Sequence, residues 1–365
     1  MNICLYIDSL GSGGAQRQIV GLATEMKKRG HAVSFITYHP DDFFREKLDE
    51  NNIEQVCISA KSKFDLIVKT RRHFKHVNPD VVISFLTSPG LISCMASILP
   101  HKWKLITGER NSKDFIFNGF SGKMLVWSER FSDWKVANSE VGKEMWVQRC
   151  PQYSNKISTI YNPVDVKFEV DSKSVEHFTK RRIVIAASYQ YTKNPVRVAE
   201  AVSELSQEER DRIVIEWFGR IEANKGDSRA YDEAREIIAN NGLENTLHLH
   251  GETKTIYDEM RTANAVALFS TVEGLPNAIC EGMMLGKPVL MTPVSDYRVF
   301  VTPENGFLCN DAEANSICSV LKQFINTPDE ALDRMGKRSK DLANKLFDFR
   351  TNMDKWEALI FKLAK

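Results

Sequence analysis

The chain has 365 residues, 27% of them charged and 42% apolar, with a net charge of +1 at pH 7. It is too long for one small core, so two domains of roughly 170–190 residues with an ordinary enzyme composition are expected. The balanced charge gives no reason to expect a nucleic-acid partner, and no 18-residue apolar stretch could span a membrane.

The charge is unevenly spread. Lys and Arg are in excess in the first half, Asp and Glu in the second. A basic first half suits an anionic lipid surface or an acidic acceptor; a normally solvated surface fits equally well. The seven cysteines are widely spaced, with no C-x-x-C, which suits reduced, buried thiols in a cytosolic protein. The histidines form no H-x-x-x-H or H-E-x-x-H pattern, and His248 and His250 merely alternate in a strand, so no metal site is expected. Asp8 ends the first apolar run, so no signal peptide is expected.

In chain order, residues 3–7 form a short apolar strand. Gly11, Gly13 and Gly14 follow, then a helical spacing through Ile19, Val20, Leu22, Ala23 and Met26, and a second strand at 33–38. This is a βαβ unit whose glycines let a ligand approach the backbone beside a helix N-terminus; a plain tight turn is the rival reading. It is not G-x-G-x-x-G, because Gln16 stands at the third position. The acidic residue that would hold a ribose at the end of the second strand is also missing, which weakens a nicotinamide-dinucleotide reading.

Alternation continues with helices at 42–51, 64–76 and 89–99 and strands at 55–58, 81–85 and 104–107. Gly108, Glu109, Arg110 and Asn111 are a polar cluster at a strand end, where open α/β sheets place their sites. The aromatic stretch 115–131 suits either a lipid-contacting surface or, especially from Leu125 to Trp134, a core helix. Ser139 is a predicted N-cap for a helix to Arg149, and residues 161–165 look like a linker. A second βα series follows, with strands at 183–187, 213–218, 247–250, 265–269 and 289–291. Its helices are predicted from Pro195 onward and at 230–240, 255–262, 277–285, 312–326 and 329–345. A final amphipathic helix spans 350–363. The first loop of this series holds Ser188 and Lys193, and Pro195 opens its helix.

The richest stretch is 270–288, S-T-V-E-G-L-P-N-A-I-C-E-G-M-M-L-G-K-P. It reads strand, glycine turn, helix, strand. It puts a helix N-terminus, which suits phosphate, beside Glu273, with Glu281 just over a turn into the helix. Carboxylates would repel phosphate, so they suit sugar hydroxyls better, and a sugar-bearing nucleotide is the implied ligand. Helix-end solvation or a capping box is the alternative.

This stretch resembles the E-x7-E signature of family 4 retaining glycosyltransferases. Supporting segments follow in the family's order: the Gly13-Gly14-Ala15-Gln16 opening, Arg29-Gly30-His31-Ala32-Val33, Val136-Ala137-Asn138-Ser139, the I-S-T-I-Y-N-P-V-D linker from Ile157 to Asp165, and Lys193-Asn194. The resemblance covers nearly the whole chain. It implies the GT-B fold, two Rossmann-like α/β domains facing across a cleft. Residues 1–168 would form the acceptor domain with the C-terminal helix 348–365 crossing back to it, and 169–347 the nucleotide-sugar domain.

By the same resemblance, Glu281 would hold the ribose hydroxyls and Glu273 the donor sugar. Backbone N–H groups around Gly274, Leu275, Pro276, Asn277 and Ala278 would receive the diphosphate and sugar, and Lys193 would neutralise the diphosphate. Gly13 and Gly14 would border donor phosphates and acceptor. Ser188 stands where the family usually has arginine, so one phosphate cation is absent or is supplied by Arg220 or another group. Glu109 and Arg110 replace the histidine many members place near the sugar; with Asn111 they are assigned to donor sugar or acceptor, an ion pair bracing the loop being the alternative. No metal and no protein nucleophile are implied.

The resulting expectation is a hexosyl- or N-acetylhexosaminyltransferase using a nucleotide-sugar, most simply a UDP-sugar. The acceptor hydroxyl would be on a saccharide or lipid-linked saccharide in surface polysaccharide assembly. The place expected is cytoplasmic, with possible peripheral contact at the inner face of the membrane. Rival readings are a sugar-nucleotide epimerase of the same fold, a dinucleotide oxidoreductase, and a non-catalytic sugar-nucleotide-binding subunit.

Overall fold

The computed structural model describes residues 1–110, 114–165, 180–222 and 226–364. It divides into two units, Met1–Pro163 with Phe349–Lys365, and Val164–Asp348. The expected site residue Asn111 lies outside the described residues.

The first unit runs β1 (Asn2–Tyr6), α1 (Gly14–Lys28), β2 (Ala32–Thr37), α2 (Arg45–Glu50), β3 (Glu54–Cys57), α3 (Lys63–Val77), β4 (Val81–Phe85), α4 (Thr87–Ala96), β5 (Lys104–Glu109), α5 (Gly119–Ser128), β6 (Trp134–Ala137), α6 (Glu140–Arg149) and β7 (Ile157–Thr159). Its sheet has the order β3-β2-β1-β4-β5-β6-β7, with every pairing parallel. Strands buried on both faces need continuous apolar runs, and Ile3, Cys4, Leu5 and Tyr6 are all completely buried. Side-chain caps fix two helix starts. Ser62 accepts from Asp65 N–H, and Ser139 from Gly142 N–H, as its position predicted.

The second unit runs β8 (Arg181–Ala186), α7 (Pro195–Ser203), α8 (Gln207–Asp211), β9 (Ile213–Phe218), α9 (Arg229–Asn240), β10 (Leu247–His250), α10 (Ile256–Thr262), β11 (Ala265–Leu268), α11 (Asn277–Met284), β12 (Val289–Met291), α12 (Tyr297–Phe300), β13 (Gly306–Leu308), α13 (Ala314–Asn326) and α14 (Asp329–Phe347). Its parallel sheet has the order β10-β9-β8-β11-β12-β13. Within it Val164 N–H donates to the Phe347 carbonyl at 3.0 Å and Val164 forms an isolated parallel bridge with Asp348, so the first residue of this unit lies beside its last.

The last helix, α15 (Phe349–Ala364), belongs to the first unit. Met353, Trp356, Leu359 and Ile360 are buried in the same cluster as Ile3, Leu5, Ile83 and Phe85. Arg29 holds it from outside, donating to Asp354 at 2.7 Å and Glu357 at 2.8 Å, and His31 Nε2 pairs with Glu357 at 2.8 Å.

Both sheets reverse their strand order once, at β1/β4 and at β8/β11. Loops leaving the carboxyl ends of such strands diverge and open a crevice for ligands.

Candidate functional site

The β8/β11 reversal brings together two loops far apart in sequence. Lys193 and Glu273 are 80 residues apart, yet Lys193 Nζ lies 2.5 Å from Glu273 Oε1. Ser270 Oγ donates to the same oxygen at 2.7 Å, and Thr271 N–H donates to the Thr192 carbonyl at 2.9 Å. Asn194, with φ of 70°, turns the chain from Lys193 into α7 and is pinned by its own amide donating to the Ala312 carbonyl at 2.7 Å.

Beyond Glu273 the Gly274 carbonyl accepts from the Ser295 hydroxyl, Leu275 is buried, and Pro276 precedes α11. No side chain caps α11, and its first turn carries no acidic residue. The positive end of its dipole thus lies four residues beyond the Glu273 carboxylate that Lys193 grips, a setting that suits an anion. Glu281, one turn further, is 6% exposed, and its Oε1 accepts from the Tyr257 hydroxyl at 3.3 Å. Gly282 follows because α11 lies against β11; a Cβ there would fall 2.7 Å from Val266 Cβ. The glycine sets how close the helix, and with it Glu281, stands to the sheet.

Ser188 and Arg220 occupy adjoining loops. Tyr189 N–H donates to the Arg220 carbonyl at 2.9 Å. At Gly219 an added Cβ would lie 1.9 Å from the Ala187 carbonyl oxygen, so the two loops touch backbone to backbone. The Arg220 guanidinium pairs with Glu252 at 3.4 Å, both half-exposed.

In the first unit Gly13 caps α1 without any side-chain bond. A Cβ on Gly13 would lie 2.2 Å from Gln16 Oε1, while Gln16 Nε2 donates to Asp8 Oδ1 at 3.0 Å. The residue that breaks the dinucleotide motif thus has its own partner at the end of β1.

At the end of β5, Glu109 is 4% exposed and faces inward. Its Oε2 accepts from Trp146 Nε1 at 2.7 Å and its Oε1 from the Arg110 backbone N–H at 2.9 Å. Arg110 lies with its guanidinium 3.5 Å from the Phe85 ring centre and donates from Nη1 to Asn162 Oδ1 at 3.0 Å. Its Nε and Nη2 find no hydrogen-bond partner among the described residues, although both are buried. Burial pushes its pKa down to about 9, against the pull of Glu109, so it remains a cation at neutral pH. A buried cation with two idle donors is costly unless an anion or hydroxyl comes to it.

Asp8, Trp146 and Tyr257 support the site but carry no signal in sequence, because each acts through a contact made only on folding; Asn162 and Ser270 lie within the linker and signature stretches, but their partners Arg110 and Glu273 show only in the fold. Phe120 is 80% and Phe64 76% exposed, whereas Leu125 is buried and Phe117 packs edge-on against Trp146 at 5.0 Å. The aromatic stretch is therefore part core and part surface. No helix among the described residues is long and apolar enough to cross a membrane.

Residues 12–168 match the family model described as Glycosyltransferase Family 4, and residues 167–342 match that described as Glycosyl transferases group 1. A Campylobacter jejuni protein named GalNAc-alpha-(1->4)-GalNAc-alpha-(1->3)-diNAcBac-PP-undecaprenol alpha-1,4-N-acetyl-D-galactosaminyltransferase is 26% identical over 302 residues, covering 78% of this chain and 77% of its own. A Haemophilus influenzae protein named as an uncharacterized glycosyltransferase is 24% identical across 98% of this chain and 99% of its own. Among solved structures, Anabaena HepE in complex with UDP-glucose superposes with a TM-score of 0.86 at 18% identity, over 99% of this chain and 100% of that one. WaaG, a glycosyltransferase involved in lipopolysaccharide biosynthesis, gives 0.77 at 14% identity, over 98% and 99%.

Proposed function

The chain belongs to the family 4 glycosyltransferases of GT-B fold, and from that premise we propose that it moves a hexose or N-acetylhexosamine from a UDP-sugar to a hydroxyl of a lipid-linked saccharide, with retention at the anomeric carbon. The observation that carries this reading is the meeting of Lys193 with Glu273 beside the uncapped start of α11. An ammonium and a helix N-terminus side by side suit a diphosphate, and a carboxylate within reach of both suits the hydroxyls of the sugar that the diphosphate bears.

In the proposed reaction the bond from the anomeric carbon to the β-phosphate oxygen breaks, and the acceptor oxygen bonds to that carbon on the same face. The acceptor proton passes to the departing phosphate oxygen. Lys193 and the α11 backbone N–H groups offset the charge that develops there. Glu281 holds the ribose and Glu273 orients the sugar. Arg220, whose loop is bonded to that of Ser188, supplies a second cation on exchanging Glu252 for phosphate. Arg110 offers its two idle donors to the sugar or acceptor, while Glu109 fixes the Arg110 backbone. Gly13 and Gly14 let phosphate or acceptor approach α1. No metal takes part in the transfer.

The choice of donor is supported by the UDP-glucose complex of HepE, and that of acceptor by the undecaprenol-linked substrate in the Campylobacter protein's name. The first unit would rest on the membrane through exposed Phe64 and Leu99, beside the basic residues of α3, and through exposed Phe120 on α5. The proposal is tested by a panel of UDP- and GDP-sugars against lipid-linked acceptor extracts, read by mass spectrometry, with product anomers assigned by NMR. Transfer from a UDP-sugar with retention is expected. An inverted product overturns the mechanism, and nucleotide binding without transfer or hydrolysis favours the non-catalytic reading. Failure to float with anionic liposomes removes the membrane contact alone.

A further inference from the structure

We infer that Glu216, His248 and His250 form a binding site for one divalent transition-metal ion of the zinc class, at the edge of the second unit's sheet and apart from the transfer chemistry. Strand periodicity puts His248 and His250 on the same face of β10, the outermost strand. The parallel register then sets His248 opposite Glu216 on β9. His248 Nδ1 lies 3.1 Å from Glu216 Oε1, and His250 Nε2 contacts Glu216 Oε2. One ligand atom from each residue lies within 4.8 Å of the other two.

Ligands at about 2.0–2.2 Å around a tetrahedral zinc stand roughly 3.3–3.5 Å from one another, so shifts of about 1.5 Å or less complete the set. The ring of His250 stacks on Phe218 at 4.7 Å and 16°, which limits how it can turn. The imidazoles are 36% and 41% exposed and the carboxylate 15%, leaving an entry path and room for water as a fourth ligand. Two imidazoles and one carboxylate favour zinc and its neighbours over magnesium or calcium, which take oxygen ligands. An ion there ties β10 to β9 immediately before Gly251 and Glu252, the latter being the ion-pair partner of Arg220. The spacing of the histidines along the chain hides this site, because the third ligand comes from another strand.

The full chain, stripped with EDTA and desalted, is titrated with Zn2+ by calorimetry and with Co2+ by visible absorption. One saturable equivalent is expected, with a tetrahedral Co2+ spectrum and a melting temperature that rises with Zn2+. Affinity should fall more than about 10-fold in His248→Asn/His250→Asn, since even outer-shell partners of a bound metal cost that much. No saturable binding by the wild type overturns the inference. So does undiminished binding by the double variant, which would move the ion to other groups such as the exposed thiol of Cys57. If the double variant does not fold, Glu216→Gln takes its place: weakened binding supports the site, and undiminished binding overturns it.

Discussion

Replacing Glu281 by alanine tests the donor assignment at its most buried point. The carboxylate is 6% exposed, and the Tyr257 hydroxyl reaches it at 3.3 Å, longer than the usual O–H···O distance. That long bond competes only weakly with a ribose hydroxyl. Hydrogen bonds to a charged group contribute about 1.5–3 kcal/mol each, and water entering the vacated space recovers part of the loss. The expected net weakening is about 1–3 kcal/mol, roughly 5- to 160-fold in Kd. Glu281→Gln keeps shape and one acceptor and should fall between. Calorimetry with UDP and with 2′,3′-dideoxy-UDP completes a double-perturbation cycle. If Glu281 holds the ribose, the alanine variant loses affinity for UDP and little more for the dideoxy ligand. An equal loss for both, or none, with the fold intact by circular dichroism, would refute the assignment.

Lys193→Met removes the ammonium beside α11, and kcat/KM for the donor should drop by about 10- to 150-fold, the worth of one charge-assisted bond; steady-state rates that match the wild type contradict its phosphate role. Arg110→Met replaces a buried cation whose Nε and Nη2 are unpartnered by an apolar side chain. Turnover should fall, and the fold should lose about 1–3 kcal/mol, because Asn162 Oδ1 loses its donor and the buried Glu109 carboxylate its neighbouring cation; unchanged turnover would leave Arg110 a purely structural part. Glu357 is held below the usual carboxylate range by its bond to His31 and then by Arg29. A depressed carboxylate stabilises the fold above its unfolded value near 4.5 and loses that contribution as pH falls through the folded value. Melting curves of wild type and Glu357→Gln should therefore differ near neutrality and converge in acid; a gap independent of pH speaks against the pairing.

Most of the alternation was legible because parallel strands covered on both faces must be continuous apolar runs, and glycine and proline punctuate them. The strands Ile213–Phe218, Leu247–His250 and Val289–Met291 match their predicted bounds residue for residue. Three short elements escaped. Gly306–Leu308 and Tyr297–Phe300 are too brief for any period to show, and tertiary packing decides them. Gln207–Asp211 was readable: Ser206 and Glu209 form a complete capping box. Within the site, Glu273, Glu281 and Lys193 stood out through motif and spacing, whereas the Lys193–Glu273 pairing depends on β8 lying beside β11. The inward turn of Glu109 onto Trp146 depends likewise on α6 and β5 packing together, which no local pattern encodes.

The placement of α15 has a consequence for biosynthesis. Trp356, Met353 and Ile360 fill the core of the first unit, and they are translated only after the whole second unit has been translated. Until then the apolar groove over Ile3, Leu5 and Phe85 has no cover, whereas the second unit already has its complete chain. A nascent polypeptide would thus have its earlier-made half waiting on its later-made half, with an aggregation-prone surface open for most of its synthesis. Release of a nascent chain from chaperones should accordingly follow synthesis of residue 360 rather than of residue 163.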